Sequence, residues 1–521
     1  MYSLLIKNAT VIDGTGQPGK ILDVAVQGDE IANLAPNMGA AAQTVIDAQG
    51  KILSPGFIDI QNHSDSYWQL FDNPNLDSLI TQGFTSLLVG NCGASLAPLL
   101  SHEALKAIQK WHNMESANVD WRSFSEYIET LSKMRLACNV GSLVGYSTLR
   151  RAIAGDQVRS LEPQELDALK KALRESLEAG AFGLSSGLSY SHEIIISELE
   201  LFELAKIVGA KQGLFAIHLR SEGGEIAEAL DEALDIAKTT GVNLKISHLK
   251  VRNRSNWEKF AQVVEQIDIA FHKGVNVHFD VYPYDTTWQA LYAYLPKWAM
   301  EGGRAIMLRH FSDPLQKNKI LTYLNNSGVA FPSMMVASTA NKLNFVGKTV
   351  GQIAKNLEVS SEQAVLHLIQ NGGSEVMVFE KNLDPDQVSQ LLTHPLSFVA
   401  TDGAGFGMNQ KSQLVHPRCF GTAPKFLAHS IKGELKLEQA IRKLTSGPAA
   451  KIGLKRRGEI KIGNFADLVL FDPQKIQDRA TYENPYQFSE GIGYVFVNGK
   501  AVVEQGKITG QLPGYALRKN N

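Results

Sequence analysis

GFIDIQNHSD, residues 56–65, is a short apolar run, Phe57–Ile60, that meets a histidine, His63, three residues after it ends. A strand of this length with ligand chemistry at its end suits folds built from β-then-α units. There the strands are buried and the functional groups gather at their carboxyl ends. Seven further segments repeat the design. Candidate strands are Ser86–Val89, Asn139–Val144, Ala181–Leu184, Leu214–Ile217, Asn243–Ser247, Asn276–Val281 and Ser397–Ala400. Long helical patterns separate them. One is EPQELDALKKALRESLEAG (162–180), which is acidic early and has Gly180 as its expected stop. Eight such units are the count of a TIM (β/α)8 barrel, an α/β fold; a doubly wound open sheet gives the same alternation. The interval from Val281 to Ser397 is too long for one crossover. It predicts an insertion, at about 285–345, folded over the active site.

Both ends of the chain read as β-structure instead. SLLIKNATVID and ILDVAVQGDEIANLA near the start, and RGEIKIGNFADLVLFDP and GYVFVNGKAVVEQGKIT near the end, alternate apolar residues between turn residues. Asn498-Gly499 is a hairpin signal. The ends are expected to pair into one small sheet domain. The predicted division is therefore 1–54 and 454–521 for that domain and 55–453 for the catalytic body.

Composition excludes several classes. A formal net charge of -2 gives no electrostatic reason to expect nucleic acid or an anionic membrane as partner. No apolar run approaches the roughly 18 residues a membrane helix needs. MYSLLIKNATVIDGTG lacks the basic region and apolar stretch of a signal peptide. Cys92, Cys138 and Cys419 are too few for a disulfide framework. The expectation is a cytoplasmic protein acting on a small molecule.

Each candidate strand, read to its end, yields chemistry. The first gives His63 and the second, SLLVGNCG, gives Cys92. GLFAIHLR gives His218 and VNLKISHLK gives His248. VNVHFDVYPY gives Asp280 and Tyr282, and LSFVATDG gives Asp402. Alone, each has a plainer reading: a hydrogen-bonded core histidine, a small buried thiol, a helix cap. Together, on one inferred face, thiolate, imidazoles and carboxylate are the donors that Zn²⁺ prefers, and three protein donors with an open position make a catalytic site. His192 stands near the fourth strand's end. His102, His112, His272, His310, His367, His394 and His429 lie in helical or linking segments, and His278 lies within a strand.

These residues sit in motifs that carry a resemblance. PGFIDIQNHSD, GNCGASLAP, GLSSGLSY, HLRSEGGEI, ISHLK, DVYPYDTTW, LPKWAMEGG, ATDGAG and HPRCFGTAPKFL follow in the order found in the D-aminoacylases. These are N-acyl-D-amino-acid deacylases of the amidohydrolase superfamily. The chain resembles them over nearly its whole length. The resemblance implies a TIM barrel with a small β-sandwich built from both termini. It also implies zinc-dependent hydrolysis of N-acyl-D-amino acids to a carboxylate and a D-amino acid. It places a tight zinc on Cys92, His218 and His248, with Asp402 as the catalytic aspartate that takes a proton from water and returns it to the leaving amine. Tyr190, Lys250, Tyr282 and Arg418 fall at positions that hold the substrate carboxylate.

Three departures stand out. A weaker second metal site would use a His-x-His pair, here Gln61 and His63, and an amide is a poor zinc ligand beside imidazole. Trp288 occupies a side-chain pocket position where relatives have a small hydroxyl residue. Tyr146 stands where they often have histidine. A cyclic-amide hydrolase and a non-catalytic amidohydrolase-like protein are the competing readings.

Overall fold

Eight stretches of parallel strand run through the centre of the chain. They are β1 (Phe57–Asp59), β2 (Phe84–Val89), β3 (Asn139–Ser142, resuming at Val144–Gly145), β4 (Gly183–Gly187), β5 (Leu214–His218), β6 (Asn243–Ile246), β7 (Val277–Val281) and β8 (Ser397–Val399). The computed structural model describes residues 1–101, 104–105, 119–155, 157–190, 193–300, 304–339, 344–409 and 413–519. The ladder runs from β1 to β2 to β3, and from Val144–Gly145 through β4, β5, β6 and β7 to β8, every pair parallel. Beyond the strand ends, Asn62 and Gly403 form a further parallel bridge, which places the end of β1 beside the end of β8. The strands are almost wholly buried, as their apolar sequences require of a parallel sheet covered on both faces.

The helices between them carry local start signals. The helix Pro163–Glu178 opens with proline in its first turn and a capping box between Glu162 and Glu165. Gly180 follows at φ 106°, in the left-handed region that glycine tolerates best.

The two ends of the chain share one sheet of nine strands. Ile52–Pro55 from the N-terminal side pairs antiparallel with Leu468–Phe471 from the C-terminal side. Leu4, Ile6, Val24, Val26, Leu468 and Leu470 bury together on it. Asn498 and Gly499 both adopt positive φ (48° and 73°), the geometry of a tight hairpin turn. They join strands Ile492–Val497 and Lys500–Glu504.

Between β7 and β8 a separate antiparallel sheet is built from Thr286–Ala290, Met335–Ser338 and Met377–Lys381. The expected insertion at about 285–345 falls inside this segment, which runs on to Lys381. Among the described residues, no helix is long and apolar enough to cross a membrane.

Candidate active site

The ends of β1, β2, β5, β6, β7 and β8 open onto a cavity of about 230 Å³. Ten of the residues singled out from the sequence line it: His63, Cys92, Tyr190, His218, His248, Lys250, Tyr282, Trp288, Asp402 and Arg418. Asp280, also read at a strand end, is not among the lining residues and pairs instead with Lys245. Three of the ten, Cys92, His248 and Asp402, have φ values of 53°, 39° and 46°. Left-handed backbone is uncommon outside glycine, and it clusters at functional sites where the surroundings hold it in place. Here it occurs where a strand ends and a side chain must turn into the cavity. Gly93, after Cys92, permits the same turn: a Cβ there would lie 1.9 Å from a carboxylate oxygen of Glu193.

The donor atoms of Cys92, His218 and His248 lie within 4.8 Å of one another, all buried. Cys92 Sγ is 3.4 Å from His248 Nε2, and the two imidazoles meet edge to face at 4.5 Å. His218 Nε2 contacts Ser189 Oγ at 2.8 Å, while its buried Nδ1 has no hydrogen-bond partner among the described residues. One sulfur and two imidazoles around an open cavity fit a catalytic zinc site. A second group, His63, Cys92 and Asp402, meets the same 4.8 Å limit and shares the sulfur.

Electrostatics distinguish the three thiols. Burial alone pushes all three up. At Cys92, however, His248, His218 and His63 outweigh it and hold the thiol well below its ordinary range. Cys419 is pushed up to about 12 by burial, and Cys138 is also raised. Only Cys92 is therefore poised as a thiolate, the form that binds metal.

Asp402 bridges two cations. Its Oδ1 lies 3.2 Å from His63 Nε2 and its Oδ2 2.7 Å from an Arg418 terminal nitrogen. Burial opposes its charge, yet Arg418, His248 and His63 hold the carboxyl well below the usual range. His63 answers in kind: burial disfavours its proton, but Asp402 and Cys92 raise its pKa to about 10. Arg418 lies over the Tyr282 ring at 4.6 Å and the Trp288 ring at 5.8 Å.

Some of the arrangement could not be read from the sequence. Lys250 donates to Glu222 at 2.6 Å and contacts His248 Nδ1 at 2.8 Å. Glu222 also stands 3.1 Å from that nitrogen and so orients a proposed ligand. Its only sequence signal was its place four residues after His218. His416 accepts the Arg418 backbone N–H on Nδ1 (3.0 Å) and donates from Nε2 to the Thr286 carbonyl (3.0 Å), tying the helix Arg418–His429 to the strand bearing Trp288. Trp288 stacks on Tyr67, with centroids 5.2 Å apart and planes at 16°. Tyr146 turns away, its hydroxyl donating to Glu200. His278 stacks on Phe398 and His394 pairs with Asp268. His102, His112 and His192 lie outside the described residues.

Residues 44–212 and 428–503 match the model of the amidohydrolase family. A D-aminoacylase of Alcaligenes xylosoxydans xylosoxydans is 31% identical over 520 residues, which are 99% of this chain and 98% of that one. The chain belongs to the D-aminoacylase family of amidohydrolases. An N-acyl-D-glutamate deacylase of the same organism is likewise 31% identical, over 99% of this chain and 96% of that one. Among solved structures, the N-acyl-D-glutamate deacylase of Bordetella bronchiseptica superposes with a TM-score of 0.84 at 28% identity, with 99% of each chain covered. That protein was crystallised with zinc and a phosphonate mimic of the tetrahedral intermediate. The α/β order of strands and helices in this D-aminoacylase family member is thus shared end to end with its relatives.

Proposed function

We propose that this protein is a zinc-dependent hydrolase of N-acyl-D-amino acids, releasing a carboxylate and a D-amino acid. The observation that carries this reading is the convergence of Cys92, His218, His248 and Asp402 with six other predicted residues on one cavity. Its volume of about 230 Å³ is below the roughly 300–1,000 Å³ of most small-molecule pockets and suits one acylated amino acid.

Cys92, His218 and His248 would hold one tight zinc. Bound there, the ion supplies Lewis acidity, which polarises a carbonyl and brings the pKa of water towards neutrality. Asp402 accepts the proton of the attacking water and returns it to the leaving amine, its carboxylate held ready by Arg418 and His63. In this reading His63 or Tyr190 would donate to the developing oxyanion. Arg418, Tyr282, Tyr190 and Lys250 form the cationic and phenolic wall that receives the α-carboxylate. A guanidinium stacked on an aromatic ring suits bidentate recognition. Glu222 and Asp402 keep the two cations neutralised within the cavity.

The fold reading supports this assignment. We take β1 to β8 as a closed (β/α)8 barrel spanning 55–453, supported by the continuous parallel order and the Asn62–Gly403 bridge. Residues 1–54 and 454–521 would form the small β-sandwich, with the antiparallel sheet between β7 and β8 as an insertion over the site. Functional groups at the carboxyl ends of strands are then where a barrel enzyme places them.

The direct test measures turnover of N-acetyl- and N-formyl-D-amino acids, their L-enantiomers and a hydantoin series. Hydrolysis of linear D-substrates is expected. Turnover confined to hydantoins would favour the cyclic-amide reading, and none with any substrate would favour a scaffold.

Trp288 narrows the pocket and yields a separate expectation. Trp288→Ser removes a wall that stacks on Tyr67. A pocket change of this kind is worth about 1–3 kcal/mol in discrimination. The kcat/KM ratio of bulky to small D-side chains should therefore rise by at least about tenfold. An unchanged ratio would place Trp288 away from the substrate.

A further inference from the structure

Behind the proposed metal site lies a buried ion pair that no step above uses. Lys245, on β6, is fully buried, and its ammonium lies 2.8 Å from Asp280 Oδ2 on the neighbouring strand β7. The same ammonium donates to the Ile60 carbonyl at 3.0 Å and to Gln61 Oε1 at 2.5 Å. Gln61, also fully buried, donates from Nε2 to Cys92 Sγ at 3.2 Å. Asp280 Oδ1 accepts the backbone N–H of His248 at 2.9 Å, so the chain of contacts reaches two of the three proposed ligands.

Chemistry fixes the direction of this chain. An ammonium has only protons to offer, so the Gln61 amide must turn its oxygen to Lys245 and its NH2 to the sulfur. The one atom of Gln61 able to ligate a cation is thereby aimed away from Cys92, and the side facing the sulfur presents positive hydrogens. The second donor group, His63, Cys92 and Asp402, shares that sulfur. A donor N–H at the sulfur is unsuited to a second cation there, and the ammonium behind it repels one.

We infer that Lys245 is a positioning residue which, through Gln61, restricts the cavity to a single metal ion and gives Cys92 a hydrogen bond in place of a second cation. This rests on the reading of Cys92, His218 and His248 as a metal site. Restoring histidine at position 61 alone should leave one metal, because the Lys245 ammonium would still stand beside the position the amide oxygen held. Removing the ion pair as well should open the second site.

The test counts zinc per chain after exposure to excess metal and dialysis, in the full-length protein. The parent and Gln61→His are expected to hold about one. The triple variant Gln61→His, Lys245→Met, Asp280→Asn is expected to hold about two. Exchanging Lys245 and Asp280 together leaves no unpaired buried charge, and the asparagine introduced on β7 keeps an acceptor for the His248 N–H. Two metals in Gln61→His alone would overturn the inference, as would one metal in the triple variant. A parent with no metal would sink both this inference and the site reading beneath it, whereas the first two results leave the site reading standing. A second readout does not depend on a new site. In the cobalt-substituted protein, Gln61→Leu deletes the hydrogen bond to sulfur and should move the thiolate-to-cobalt absorption to longer wavelength. Lys245→Met, Asp280→Asn should do the same by freeing the amide to turn. Unshifted bands in both would overturn the inference; as a control, Cys138→Ser should leave the band in place.

Discussion

Replacing Asp402 with asparagine is expected to lower kcat by about 10²–10⁴-fold, the usual cost of losing a positioned proton-transfer group, while the tight metal stays bound. The backbone favours this substitution. Asp402 sits at φ 46°, in the left-handed region where asparagine is among the best tolerated residues. Asparagine also keeps an acceptor for Arg418 and leaves the Arg418 Nε bond to the residue 402 carbonyl (2.8 Å) untouched. What it removes is the charge opposite a buried guanidinium. Breaking a buried pair from one side costs about 3–5 kcal/mol, so a lower Tm is expected alongside. Metal content and kcat, both measured well below that Tm, separate a catalytic role from a folding one. Loss of turnover with metal retained supports proton transfer by Asp402. Near-parent turnover would remove Asp402 from the mechanism and move the search for a base to His63, whose Nε2 lies 3.2 Å away.

The parts that could be read from the sequence were those whose signal is local. Eight largely apolar segments fell on strands β1 to β8, because a strand buried on both faces can carry polar side chains only where they find partners. Their edges moved by at most three residues: Ala181–Leu184 became Gly183–Gly187, since pairing with Leu214–His218 sets the limits. The proposed ligating groups were legible because they stand within a few residues of those ends. Lys245 was not. In NLKISH it reads as an ordinary polar residue, and only Asp280, on another strand, makes its burial tolerable. Glu222 lies in SEGGE, which reads as an exposed loop, yet it is buried against His248 and Lys250. The strand containing Trp288 was hidden for the same reason: its partner, Met377–Lys381, lies some ninety residues on. Such non-local pairings leave no period in the sequence.

Cys92→Ala is expected to empty the tight site, taking zinc from about one per chain to near zero. Even a residue that only orients a metal ligand typically costs 10–100-fold in metal affinity, and Cys92 would supply a ligand itself. The remaining pair, His218 and His248, offers two neutral nitrogens and no charge to offset the cation. Activity should fall with the metal, and zinc added back in excess should restore little of it. The other thiols provide the comparison. Cys138 Sγ faces the Phe84 carbonyl at 3.4 Å and Cys419 packs beside Gly403; both are buried, and burial raises both thiols. Cys138→Ser and Cys419→Ser should therefore keep the parent metal content, even where tight packing lowers their Tm. If Cys92→Ala retains about one tightly held zinc, the sulfur is not a ligand. The remaining donors, His63 and Asp402 with the two imidazoles, would then have to form the site, and the low-lying Cys92 thiolate would need another purpose. If all three variants lose metal alike, the loss reports on folding rather than coordination. Near-ultraviolet circular dichroism on the same samples separates the two, because the Tyr67–Trp288 stack lining the cavity gives a signal that a lost ligand leaves intact.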